Sequence, residues 1–148
     1  MEQYKTKLKE IYDQIGDHAK LVLATSSNNH VSARKMSFII IDNKFYFQTD
    51  ISFRKYKDIK ENPNVALCLD NIQIEGQCYE LEHPLKHVEF ASKFKEYYRS
   101  SYDAYTSLES ERLFVVEASF IQRWNYVNNK PVIEQLYIDK ESYSERYY

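Results

Sequence analysis

Arg34-Lys35-Met36-Ser37-Phe38, Phe45-Tyr46-Phe47-Gln48-Thr49-Asp50, Ser52-Phe53-Arg54-Lys55 and Asn62-Pro63-Asn64-Val65-Ala66-Leu67 follow one another along a single run. Read locally, the run is a strand, a tight turn, a second strand ending in hydroxyl and acid, a short basic helix and another strand. Three cations (Arg34, Arg54, Lys55) and two hydroxyls (Thr49, Ser52) therefore gather where a strand hands over to a helix N-terminus. Backbone donors at a helix start attract anions, and nearby Arg and Lys add charge-assisted hydrogen bonds. This is the chemistry of a phosphate site built without a glycine-rich loop. By spacing alone, the same cations fit a solvated basic face equally well.

The turns that organise the rest of the chain are legible. Only two glycines are present, Gly16 and Gly76, so other residues must occupy left-handed turn positions. Asn28-Asn29, Asp42-Asn43 and Asn128-Asn129 each separate apolar or β-branched runs and predict hairpin tips, because Asn and Asp tolerate positive φ best. Strands are expected over 21–26, 31–41, 44–49, 64–69, 72–81, 113–126 and 132–138, with Gly76 as a bulge or a point of close approach. An opening helix over 2–15 carries Tyr4, Leu8, Ile11, Tyr12 and Ile15 on one face. The segment 53–61 reads as a helix capped by Asp50 or Ser52 and stopped by Asn62-Pro63. Pro84 is expected to open a second long helix to about Tyr98, with Leu85, Val88, Ala91, Phe94 and Tyr98 facing inward. A polar connection follows over 100–111, and the tail 139–148 is free to move or to dock on a partner. The pattern predicts a single domain over 1–148, mainly β (α+β). Its core is a small antiparallel split β-barrel of six or more strands with flanking helices, because such strands close on themselves to avoid open edges.

Composition excludes several classes. A net charge of -2 gives no field for nucleic acid. No apolar run approaches the roughly 18 residues of a membrane span, and the first residues lack the apolar core of a secretory signal, so cytoplasm is the expected location. Cys68 and Cys78 are too few for a disulfide framework and read as small core hydrophobes. His83 and His87 share a helical spacing but have no acidic or thiol partner on it, so no metal site is expected. The 14 tyrosines suit wet interfaces and sheet rims.

The run at 34–67 resembles the pyridoxamine 5'-phosphate oxidase-like family of flavin mononucleotide (FMN)-binding split barrels. The likeness is close over 21–79 and loose elsewhere. It implies that Arg34, Arg54, Lys55 and Thr49 hold the flavin phosphate, with Ser52 beside them. Backbone from Lys35, Met36, Ser37 and Phe38 would line the flavin ring system. Asn71, five residues before Gly76, stands where the family carries a polar contact to that ring, more familiarly a glutamine. Trp124 resembles a late-strand tryptophan that the other subunit supplies near the cofactor, so the resemblance implies a homodimer with flavin at the interface. Taken alone, Trp124 reads equally as a core or interface anchor. Glu134 lies near the position of an arginine in the true oxidase, and the Arg-Leu-His signature for the vitamin B6 substrate is absent, which points to a generic member. No nucleophile–base pair is visible, so any chemistry belongs to the cofactor. The expected function is flavin-dependent oxidoreduction of a small molecule. Alternatives are a non-catalytic flavin binder linked to stress, or a haem or deazaflavin protein on the same barrel. With two glycines the chain has no G-x-G-x-x-G fingerprint, so a nicotinamide would meet the flavin only transiently in an open cleft.

Overall fold

The structure is a computed structural model describing residues 1–148. The elements in order are α1 (Glu2–Ile15), β1 (His18–Ser27), β2 (His30–Ile41), β3 (Lys44–Asp50), α2 (Arg54–Glu61), β4 (Asn64–Leu69) and β5 (Ile72–Glu80). A 3-10 turn at Pro84–Lys86, α3 (Val88–Tyr97), α4 (Arg99–Ser101) and a π-turn at Tyr102–Thr106 then lead to β6 (Glu111–Val127), β7 (Lys130–Tyr137) and β8 (Ser142–Tyr147). All pairings are antiparallel in the order β3-β2-β1-β4-β5-β6-β7-β8, and a further β3–β6 ladder closes six strands into a barrel. No helix is long and apolar enough to cross a membrane.

The hairpin tips behave as the sequence predicts. Asn28, Asn29, Asp42, Asn43, Asn128 and Asn129 all have positive φ, between 51° and 65°. Gly76 marks a register shift in the β5–β6 ladder, and a Cβ there would meet the Glu117 carbonyl oxygen at 2.3 Å. Alternation along the strands turns Leu21, Leu23, Phe45, Phe47, Ile72 and Ile74 into the barrel, where Phe47 stacks on Phe114 at 5.3 Å between centroids. The helix α1 buries Tyr4, Ile11, Tyr12 and Ile15 against this core.

Four expectations are corrected. The acid and hydroxyl before α2 do not cap it: Asp50 Oδ1 accepts from Ser52 N and Oγ at 2.8 and 2.7 Å, and the cap position falls on Phe53 with no side-chain bond. The long helix from Pro84 is split. His83 Nδ1 accepts from Leu85 N and His87 Nδ1 from Phe90 N, so the two histidines cap successive short helices. Restarting at His87 rotates the buried face to Phe90 and Phe94, leaving Leu85 and Val88 exposed. Residues 142–147 are an eighth strand paired to β7, reached through a turn with Glu141 at φ 46°. Cys68 is exposed because it alternates with Leu67 and Leu69, whereas Cys78 is buried and its thiol is pushed up to about 12 by burial.

An ionic cluster ties α1 to the barrel. Fully buried Glu134 accepts from Arg123 Nε at 2.6 Å and from Lys7 Nζ at 3.0 Å, while Arg123 also reaches Glu10 and Gln14. Burial opposes the Glu134 charge, but these donors hold its carboxyl below the usual value. A lowered carboxyl stabilises the fold above its ordinary pKa, and that contribution fades as pH falls through the folded value. Replacing Glu134 with Ala leaves Arg123 buried with one partner gone, and should cost about 3–5 kcal/mol in urea unfolding at pH 7. A loss below about 1 kcal/mol would show that the cluster is not satisfied as described.

Candidate functional site

A cavity of about 460 Å³ opens where the middle of β2 and the end of β3 meet the start of α2. Its near wall is Lys35, Met36 and Ser37 from β2 and Gln48, Thr49 and Asp50 from β3. Phe94, Tyr105, Leu108 and Glu111 face them. The last turn of β3 places Thr49 on the same face as Phe45 and Phe47, so its hydroxyl sits at the end of the barrel core. Thr49 is buried, and its Oγ1 has no hydrogen-bond partner in the chain. A buried hydroxyl is almost always paired, so this one is an open hydrogen-bonding group on the cavity wall.

The cations divide into two groups. Lys55, on the first turn of α2, lines the cavity and lies over the Phe53 ring at 4.5 Å. Burial, then the nearby Arg34 charge, lowers its pKa, with Glu111 opposing. Arg34 is engaged within the chain, donating from Nη1 to the Leu23 carbonyl and Thr25 Oγ1 at 3.0 Å each and from Nη2 to Ser32 Oγ at 2.6 Å. It stands behind Lys55 as a charge and not as a wall of the cavity. Arg54 is exposed and forms a long pair with Asp58 at 3.8 Å.

The remaining expected site residues are distributed as follows. Ser52 is turned onto Asp50. The Phe38 ring is buried in the core and its carbonyl accepts from Tyr98 Oη, so only Lys35, Met36 and Ser37 of that strand segment reach the cavity. Asn71 and Trp124 hold each other instead: Asn71 Nδ2 donates to the Trp124 carbonyl at 2.7 Å, and Trp124 N to the Asn71 carbonyl at 3.0 Å. Neither lines the cavity of their own chain.

Glu111 is the residue that sequence reading missed. Nothing in the polar connection before it signals a site, because only the closing ladder pairs it with Asp50. Its carboxyl is buried and raised to about 7, first by burial and then by the Asp50 charge, with Lys55 and Gln48 opposing. Asp50 is held low by bonds from Ser110 and Ser52, so it keeps its charge while Glu111 takes the proton. Gln48 is fixed in turn by Thr106 Oγ1, which donates to its Oε1 at 3.0 Å.

The fold is a closed six-stranded split barrel that brings a helix-start cation, an orphaned hydroxyl and an uncapped helix start to one cavity. A pyridoxamine 5'-phosphate oxidase profile matches residues 8–125, and the chain belongs to that family. General stress protein 26 from Bacillus anthracis is similar, at 26% identity and TM-score 0.63 over 77% of this chain and 91% of that one. An FMN-binding, pyridoxamine 5'-phosphate oxidase-related protein from Nostoc punctiforme shares the fold at 12% identity and TM-score 0.61, over 99% and 93%. HutZ, the haem storage protein of Vibrio cholerae, shares it at 15% identity and TM-score 0.60, over 78% and 89%. No curated protein sequence matches the chain.

The raised Glu111 carboxyl has a pH consequence. A buried acid with a folded pKa above its unfolded one binds its proton more tightly when folded, so stability falls as pH rises from about 4.5 to about 7. Glu111→Gln should flatten that part of the profile and raise the melting temperature more at pH 8 than at pH 5. Parallel profiles for the two proteins in thermal melts would place the Glu111 titration elsewhere.

Proposed function

We propose that the chain binds FMN in the cavity between Thr49 and Lys55 and acts as a flavin-dependent oxidoreductase on a small molecule. The observation that carries this reading is the buried, unpartnered Thr49 hydroxyl beside Lys55 at an uncapped helix start. Hydroxyl, ammonium and free backbone N–H groups are the donor set that a phosphate monoester takes. The family and the FMN-binding relative from Nostoc support it. No imidazole lines the cavity, and its donors suit phosphate better than iron.

The flavin, when bound, supplies the redox chemistry. The chain's part is binding and orientation. Lys55 neutralises the phosphate, with Arg34 adding positive potential from behind. Thr49 fixes the phosphate by a hydrogen bond, and the Phe53 ring lies against the Lys55 ammonium. Glu111 and Asp50 are the groups that oppose an anion here. A protonated Glu111 lowers that opposition and turns an acceptor into a donor.

We also infer a homodimer. Trp124 stacks edge-on with Tyr126 and Tyr148, at 6.2 and 5.7 Å between centroids, on a surface where all three remain exposed. A two-fold copy that covers this patch would bury it and bring Trp124 toward the other subunit's flavin cavity. Tyr97 and Tyr98 are occupied within the chain by Asp17 and by the Phe38 carbonyl.

Lys55→Ala should weaken FMN binding about tenfold to a hundredfold and riboflavin binding little, since only FMN carries the phosphate. Thr49→Val should act in the same direction by about fivefold. Fluorescence titrations that give equal losses for both ligands would remove these residues from a phosphate site. In the loaded protein, bleaching by NADPH or NADH under argon supports turnover; reduction by dithionite alone leaves a binder. Light scattering should return a dimer mass at micromolar concentration, and a monomer mass would defeat the dimer.

A further inference from the structure

A second cleft of about 590 Å³ adjoins the flavin cavity, and Ser37 and Ser101 line both. We propose that it binds a small planar aromatic carboxylate, gripped by Lys20 and Arg99 against the His18–Tyr97 ring pair. The part of this proposal that sets the ligand beside a flavin rests on the function proposed above.

Three observations carry it. The first is the aromatic wall. The His18 ring lies flat on Tyr97 with centroids 3.7 Å apart and planes 9° apart, and both rings line the cleft. Asp17 locks the pair, since its carboxylate meets His18 Nδ1 at 2.9 Å and accepts from Tyr97 Oη at 3.0 Å. A fixed flat wall selects planar ligands, because an offset-stacked ring gains contact without ordering the protein further.

The second is charge. Of the three principal cavities, one is lined by Glu75 and Glu117 and the flavin cavity by Asp50 and Glu111, whereas this cleft has no carboxylate on its wall. It has Lys20 and Arg99 instead. Lys20 makes no ion pair. The only partner of Arg99 is Asp103, in an exposed pair at 3.2 Å that contributes little. The carboxylates bonded to its lining residues are engaged, Asp17 with the ring pair and Asp103 with Arg99, so Lys20 is left as an unpaired cation on a wall that favours an anion.

The third is connection. Because Ser37 and Ser101 belong to both walls, a ring held against Tyr97 has its far edge toward the flavin cavity, with two hydroxyls at the junction for polar ring substituents. The cleft volume falls in the range of small-molecule sites. A single carboxylate on a ring uses both cations and the wall at once. A second phosphate site would need the backbone donors and buried hydroxyl that mark the Thr49 cavity.

The test uses 4-fluorobenzoate and its neutral counterpart 4-fluorobenzamide, observed by 19F NMR line broadening with the full chain, with and without FMN. Benzoate should broaden and benzamide should not. The double variant Lys20→Gln, Arg99→Gln should weaken benzoate binding by at least about tenfold while its FMN titration and melting temperature stay as in the parent. Equal broadening by the two probes, no broadening by either, or an unchanged response in the double variant overturns the anion site and leaves the flavin reading standing. If FMN fails to bind but benzoate broadens in a Lys20- and Arg99-dependent way, the anion site stands and the flavin reading falls.

Discussion

The β3–β6 ladder is the constraint on which the rest of this structure depends. It runs from Phe45 opposite Val116 to Asp50 opposite Glu111, joining segments more than 60 residues apart in sequence. Without it the six strands would be an open, curled sheet with two exposed edges. With it the interior is sealed around Phe38, Phe47 and Phe114, and the end of β3 is pinned at a fixed height. That pinning extends one residue further, because Ile51 N donates to the Ser110 carbonyl at 3.0 Å and Ser110 Oγ to Asp50 Oδ2 at 2.5 Å. The chain then leaves into α2, which is why Lys55 and Thr49 line one cavity.

The same ladder sets the electrostatics of the cavity. Cross-strand neighbours of like charge are unfavourable, and Asp50 and Glu111 are such neighbours. The conflict is resolved unequally. Asp50 sits at the rim with three donors around its carboxylate, whereas Glu111 is buried with few. One therefore stays charged and the other is poised near neutrality. The cavity proposed to take an anion thus carries two acids, one of them half-silenced by its surroundings. Arg34 shows the complementary arrangement. Its guanidinium is anchored by a carbonyl and two hydroxyls, so it acts as a fixed positive potential and not as a mobile arm.

The departure from the oxidase pattern at Glu134 has a structural meaning. Its carboxylate faces the inside of the α1 junction, where Arg123 and Lys7 satisfy it. A residue committed to that cluster is taken up in fastening the opening helix, and the ladder from β7 to β8 continues the sheet beyond the closed barrel. The exposed Trp124, Tyr126 and Tyr148 lie at this extended end. The molecule is thereby polarised, with its sealed core and cavity on the closed strands and its unsatisfied aromatic surface on the added ones.

The sequence by itself determined the local choices. Paired Asn and Asp residues have few other uses between β-branched runs, so three hairpins could be read directly, and Gly76 announced its close approach to β6 because nothing larger fits. The Thr49–Lys55 pairing was legible too, since both flank a single strand-to-helix turn. What the tertiary structure decided lies in long-range register. Glu111 enters the cavity only because β6 closes on β3. Arg34 turns away because Leu23 and Thr25 of the adjacent strand offer it partners. Asn71 and Trp124 bond to each other across the β5–β6 ladder and not to the cavity. The split of the third helix and the eighth strand were hidden for a related reason: histidine capping and edge pairing leave no periodic signature. Periodicity and turn chemistry act over a few residues, whereas a site assembled from three strands and three helices is specified by which distant segments pair.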